Sequence, residues 1–408
     1  MLRRGRAAAL LAVLGPGLLA GLSDDDPAGI TTYSVLGASY GYQLLWVLLA
    51  STAALIVFHE VGARMGVVTG KGLLAVVRSR YGRRLTLVVL AALVVANLGT
   101  LCAEFAGVAA GLELLGGVSR YLSVPVAAIA VSALVLRGSF HRVEHVLLAL
   151  SAVFLAYIAS GFLSHPDVGA AAKGLVVPSI PLTRDAALIA VATVGTTLAP
   201  WGLAFIQSYA ADKRLRVDQY PLERVDVVVG AVMTCVIGVF IVVACAATLH
   251  ARGISINDAS DAARALEPLA GSLAAGLFGV GILGAAFLAA SVVPLSTAYS
   301  VAEAFGARAD IDDRFGDARL FYGTYGLVVA IAVGLVLIPR APLLPILVLS
   351  QALNAILLLL LMPVMRRLAR DREVMGEHAL GVLGRASTAL ALAMVAASVA
   401  ALAVLSVV

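Results

Sequence analysis

Long apolar runs, each about the length of a bilayer crossing, alternate along this chain with short charged or turn-rich gaps. Eleven stand out: 8–38, 43–63, 84–116, 121–136, 143–164, 186–210, 225–250, 269–303, 319–338, 342–365 and 386–407. About 20 apolar residues carry a helix across the hydrocarbon core. Most of the runs lack a polar face, as expected of helices surrounded by lipid and by other helices. A closed barrel would need alternating segments of about ten residues, which are missing. The pattern predicts an all-α integral membrane protein with 11 transmembrane helices and no soluble domain. The start, MLRRGRAAALLAVLG, looks like a signal peptide, but no A-x-A cleavage site follows it. It is read as a retained first span.

Two of the runs are broken in the same way. Span 1 contains Ser23-Asp24-Asp25-Asp26-Pro27-Ala28-Gly29, and span 6 contains Thr196-Thr197-Leu198-Ala199-Pro200-Trp201-Gly202. Each holds x-Pro-x-Gly. Proline removes a helix hydrogen bond and glycine weakens the next turn. The freed carbonyls must find partners inside the membrane. Three carboxylates within an apolar run cost several kcal/mol, and a cation beside Asp26 would offset that. The two breaks fall in the first span of each five-span half. Five is odd, so the second half enters the membrane inverted relative to the first. This is the signature of an inverted-repeat transporter with a midplane site between two unwound helices. The repeats are placed at 1–164 and 186–370, with 386–407 as an extra helix 11.

Composition agrees and charge adds a topology. Of 408 residues, 61% are hydrophobic and 13% charged, and mean hydropathy is +1.01. Soluble chains average about 45–50% apolar and about 25% charged. The values exclude a soluble enzyme, a disordered chain and a nucleic-acid-binding domain. With the N-terminus inside and strict alternation, 23 of the 29 Lys and Arg fall on inner segments, as the positive-inside rule requires. The expected location is the plasma or inner membrane, multi-pass, N-terminus cytoplasmic and C-terminus outside. The net charge of +5 thus describes the inner loops and calls for no nucleic-acid partner. Cys102, Cys235 and Cys245 sit in apolar runs without a metal or disulfide pattern and are read as buried thiols.

On these residues the chain resembles the Nramp family of divalent-metal transporters over nearly all its length. Gly15-Pro16-Gly17 opens span 1 as in the family, and Asp26-Pro27-Ala28-Gly29 stands where the family has DPGN. Gly41-Tyr42-Gln43-Leu44-Leu45-Trp46 and Gly66-Val67-Val68-Thr69-Gly70-Lys71 resemble its span 2 and the following loop. Ala103-Glu104-Phe105-Ala106-Gly107 resembles span 3, and Ser350-Gln351-Ala352-Leu353-Asn354 resembles span 10. The resemblance implies a leucine-transporter-type fold with unwound helices 1 and 6.

The departures point to the ion. The family's Asn in span 1 is Gly29 here, and its MPHN is Ala199-Pro200-Trp201-Gly202. The site has lost an amide, a soft thioether and an imidazole. Sulfur favours transition metals; what remains is oxygen from Asp26, Gln351 and the unwound carbonyls near Ser23 and Thr196. Gly29 and Ala199 are also expected to widen the cavity. Mg²⁺ sheds water reluctantly, so a roomy oxygen site suits it. The pattern resembles the Nramp-related magnesium transporters. It implies import of partly hydrated Mg²⁺, with Mn²⁺ also accepted, by a monomer in lipid that has no resident cofactor and is not an enzyme. Trp201 in place of histidine implies uncoupled transport. Glu104 is a candidate proton carrier, with Trp201, Gly202, Asn354, Asp25 and Asp24 along the pathway. The alternatives are a proton-coupled Mn²⁺/Fe²⁺ symporter and a carrier of a small organic solute.

Other motifs carry less. Gly279-Val280-Gly281-Ile282-Leu283-Gly284 matches GxGxxG inside an apolar helix, which suits close helix packing rather than a nucleotide. His59-Glu60 is not HExxH, because Ala63 holds the fourth following position. Glu60 and Arg64 form an expected i,i+4 pair at the inner end. His141, Glu144 and His145 are read as interface residues. Asp212 lines the exit or offsets Lys213 and Arg216.

Overall fold

In the computed structural model, residues 24–136, 155–256, 259–307, 316–340 and 342–407 are described. Ser23, the first half of span 1, most of span 5 with His141, Glu144 and His145, and most of the 308–319 loop lie outside them. No strand occurs among the described residues. The main helices in chain order are α1 (Pro27–Tyr40), α2 (Leu45–Thr69), α3 (Leu73–Gly116), α4 (Arg120–Leu136), α5 (Leu155–Leu163), α6 (Val168–Val176) and α7 (Arg184–Thr197). They continue with α8 (Pro200–Asp212), α9 (Tyr220–Thr248), α10 (Ala274–Phe305), α11 (Arg319–Val336), α12 (Leu343–Arg370) and α13 (Val382–Leu405). Among the described residues, eight segments are long and apolar enough to cross a membrane, and α4 supplies a shorter apolar helix. The eight coincide with expected spans 2, 3, 6, 7, 8, 9, 10 and 11. Of spans 1 and 5, the described residues include the parts seen as α1 and α5.

Two connectors differ from expectation. The basic stretch after α2, expected as a loop as far as residue 84, is helical from Leu73. Leu73, Leu74, Val76 and Val77 are buried, so this short piece has an apolar face of its own. Gly82, at φ +77°, then breaks α3. The Glu303 carboxylate in the last turn of α10 accepts from Leu74 N at 3.0 Å. It caps a helix whose own N-cap, Gly72, has no side chain. The second difference is α6, in the expected outer loop, capped by Asp167 accepting from Ala170 N at 2.9 Å.

Lipid offers no hydrophobic drive between helices, so close approach depends on small residues. The GxGxxG stretch behaves this way. A Cβ on Gly279 would stand 2.7 Å from Leu115, and one on Gly111 would stand 2.8 Å from Leu283. These contacts lock α10 along α3. Gly62 and Gly66 do the same for α2 against Ile206 and Gln207 of α8. The expected Glu60–Arg64 pair forms, and Arg64 also donates to Tyr220 Oη at 2.9 Å. Two large apolar clusters result. One gathers α2, α7, α9 and α12; the other gathers α3, α4, α10 and α11 with Trp201, Phe205 and Tyr209 of α8. All three cysteines are buried and free. Ile129, Leu327 and Leu390 are exposed on faces suited to lipid.

Candidate metal-ion site

The site begins with two prolines. In an unbroken helix the carbonyl of Thr196 would accept from residue 200, but Pro200 has no N–H. Accordingly α7 stops at Thr197, Leu198 and Ala199 leave helical geometry, and α8 starts at Pro200. Pro27 likewise occupies the first turn of α1, where a missing N–H costs nothing. The two starts differ in their caps. The Asp26 side chain accepts from Gly29 N at 2.5 Å, satisfying one of the orphan donors of the first turn. Ala199 has no side chain to offer.

Gly29 is the meeting point of the two breaks. A Cβ there would stand 2.7 Å from the Asp24 carbonyl oxygen, 3.1 Å from Thr196 Oγ1 and 3.2 Å from Asp26 Oδ1. Three oxygens from two helices thus converge on one backbone position. The Asp24 carbonyl fills the space that a side chain at Gly29 would take. On α3, Gly107 receives the Pro27 ring, and Glu104 lies one turn earlier on the same face, beside Asp26.

Asp24, Asp25, Asp26 and Glu104 are all at most 3% exposed. Neither carboxylate oxygen of Asp24 or Asp25 has a hydrogen-bond partner among the described residues, and Thr196 Oγ1 has none either; Glu104 faces Asp26. Buried unpaired carboxyls repel one another and call for a cation or a proton. No group of three His, Cys, Asp or Glu side chains forms a ready metal cage among the described residues. A cation held here would draw on backbone as well as side-chain oxygens.

The other expected site residues are placed unevenly. The backbone of Gln351 on α12 packs against Gly195 of α7, next to Thr196. Its side-chain oxygen accepts from Asn354 Nδ2 at 2.9 Å, and Asn354 also donates to Thr100 Oγ1 at 3.0 Å. Gln351 and Asn354 thus form a polar link from α12 to α3. Trp201 is fully buried in the apolar cluster with Phe205 and Tyr209, and Ser296 Oγ donates to its carbonyl at 2.9 Å. Asp212 Oδ2 accepts from Tyr299 at 2.6 Å.

One residue was missed. His59 of α2 is 1% exposed. Its Nε2 lies 3.4 Å from where a Cβ on Gly202 would stand, with Asp24 Oδ1 3.7 Å from the same point. The HExxH spacing does not bring it out, because Ala63 holds the fourth following position. The readable signal is helical spacing: His59, Gly62 and Gly66 share one face, and the glycines bring that face to α8.

The chain is similar to known proteins over most of its length. A family model described as natural resistance-associated macrophage protein-like, Nramp, matches residues 17–406. A divalent metal cation transporter MntH of Erwinia tasmaniensis is 30% identical over 301 residues, 72% of each chain. An MntH of Pectobacterium carotovorum is 32% identical over 290 residues, 69% of this chain and 70% of its own. A manganese transporter structure from Eremococcus coleocola superposes with TM-score 0.76 at 18% identity, covering 95% of this chain and 85% of that one. MhsT in complex with L-phenylalanine superposes with TM-score 0.64 at 16% identity, covering 94% and 98%. These structures share the fold, of the leucine-transporter class.

Proposed function

The chain belongs to the Nramp family, and from that premise we propose that it carries a divalent metal cation across the membrane. The observation that carries this reading is the set of four buried carboxyls, Asp24, Asp25, Asp26 and Glu104, at the junction of α1 and α3 with the α7–α8 break. Asp26 is the central ligand. The Asp24 carbonyl, Thr196 Oγ1 and the backbone freed by Pro200 complete an oxygen face on a partly hydrated ion. Gln351 supports the wall from α12. Glu104 shares the charge of Asp26. The MntH relatives carry divalent metal cations by name, which supports the class of cargo.

Within that class we read the ion as Mg²⁺, with Mn²⁺ also accepted. The donors that converge at Gly29 are all oxygens, and position 199 contributes a methyl group rather than sulfur. Hard oxygen ligands suit Mg²⁺ and Mn²⁺. Transport runs without proton coupling, because the position that follows Pro200 holds Trp201, packed in an apolar cluster. The halves 1–164 and 186–370 act as inverted repeats that open alternately to each side, and the ion is imported.

Flux into proteoliposomes tests the reading. Mg²⁺ and Mn²⁺ should enter wild-type vesicles at rates unchanged by a pH gradient, and Asp26→Ala should abolish entry. Flux that survives Asp26→Ala refutes the site. Flux that rises with an inward proton gradient favours the proton-coupled symporter instead.

A further inference from the structure

Each x-Pro-x-Gly motif ends on a glycine whose Cα faces polar atoms from elsewhere, and the two sets of atoms differ in kind. At Gly29 they are three oxygens. At Gly202 the nearest are the His59 imidazole, with Nε2 at 3.4 Å and Cε1 at 4.0 Å, and Asp24 Oδ1 at 3.7 Å, measured from the Cβ position. Asp24 serves both places, its carbonyl at Gly29 and its carboxylate at Gly202.

His59 is chemically out of place unless it has work to do. It is 1% exposed, and neither Nδ1 nor Nε2 has a hydrogen-bond partner among the described residues. The same holds for both oxygens of Asp24. A buried polar group left unpaired is costly, and an ionisable one within the membrane marks a functional path. The arrangement is also built. Gly62 and Gly66 lie on the His59 face of α2 and admit Ile206 and Gln207 of α8, which sets the imidazole beside the first turn of α8. That turn has no side-chain cap at Ala199.

We propose that His59 and Asp24 form a second cation station over Gly202, next to the oxygen face at Gly29, giving transition metals a nitrogen donor that Mg²⁺ does not use. The proposal rests on the reading of this chain as a divalent-cation carrier. An ion at Gly29 would meet the Asp24 carbonyl and an ion at Gly202 its carboxylate, so one residue links the two stations. Imidazole binds first-row metals in rising order from Mn²⁺ to Co²⁺ and has little affinity for Mg²⁺. The station therefore ranks ions: Co²⁺ gains most from His59, Mn²⁺ less and Mg²⁺ least.

Titration calorimetry of the purified full chain with Mg²⁺, Mn²⁺ and Co²⁺ tests this, with His59→Gln and Gly202→Ala as variants. Gln keeps a polar group of similar reach without the metal affinity of imidazole. A methyl group on residue 202 would meet His59 and Asp24 at ordinary contact distances, so Gly202→Ala folds and blocks the point between the donors. Each variant should lower the ratio of Co²⁺ to Mg²⁺ affinity about tenfold or more, with a smaller drop in the Mn²⁺ to Mg²⁺ ratio. The visible absorption of bound Co²⁺ should also shift in His59→Gln, as it must when nitrogen leaves the ligand set. If His59→Gln does not fold, Gly202→Ala decides alone. Equal loss for all three ions, or no loss in Gly202→Ala, overturns the station while leaving the carrier reading intact. A wild-type chain that binds none of the three ions overturns both.

Discussion

At the scale of single residues, Gly29 shows how a missing side chain builds a site. Its hydrogen lets the Asp24 carbonyl, Thr196 Oγ1 and Asp26 Oδ1 approach one point. A Cβ 2.7 Å from a backbone oxygen cannot be accommodated without moving the 24–26 turn. Overpacking of this kind costs about 1–3 kcal/mol. Gly29→Ala is therefore expected to weaken Mg²⁺ binding, about 1.4 kcal/mol being tenfold, in calorimetry on a chain whose melting temperature falls only a few degrees. Unchanged affinity would mean that the oxygens do not act together. Asp26 was legible from the sequence because a carboxylate inside an apolar run has no cheap explanation. His59 was not, because a single histidine in a helix has many. What separates His59 from an ordinary core histidine is two nitrogens without a hydrogen-bond partner among the described residues, which no sequence pattern displays.

Elements inherit their placement from such contacts. α2 lies along α8 because Gly62 and Gly66 admit the Ile206 side chain and the Gln207 backbone. Gly66→Ala would drive a methyl group into the Gln207 carbonyl. The expected result is a loss of about 1–3 kcal/mol in stability, read as a lower melting temperature in detergent, with the Co²⁺ preference falling as His59 is drawn off Gly202. The same melting shift with full Co²⁺ preference would separate the packing from the station. Element boundaries were largely legible: expected span 9 at 319–338 appears as Arg319–Val336, and span 4 at 121–136 as Arg120–Leu136. Apolar length sets both. The helix at residue 73 escaped because its basic residues read as loop. Yet Arg80 pairs with Asp371 at 2.5 Å and with Glu373 at 2.6 Å beyond the end of α12, so its charges are used in folding as well as in topology. α6 escaped because nine residues with modest apolarity do not stand out against a loop.

The whole molecule divides the work between two apolar clusters, and the polar site runs through the helix breaks beside them. The charge distribution predicts which end faces the cytoplasm. Gly381, at the exposed start of α13, lies in the basic segment between α12 and α13. A cysteine placed there should react with a membrane-impermeant thiol reagent only after permeabilisation of cells. Reaction on intact cells would invert the assigned orientation. The three native cysteines are buried, so background labelling stays low. The position of Trp201 has a practical consequence of its own. The chain has two tryptophans. Trp46 donates to the Ser179 carbonyl at the rim, while Trp201 sits immediately beyond the break before α8. Trp46→Phe would leave Trp201 as the single tryptophan, beside the helix break. Its emission, excited selectively over tyrosine, should then respond to any movement of α8 against the break, with no dye attached and no proposed ligand altered.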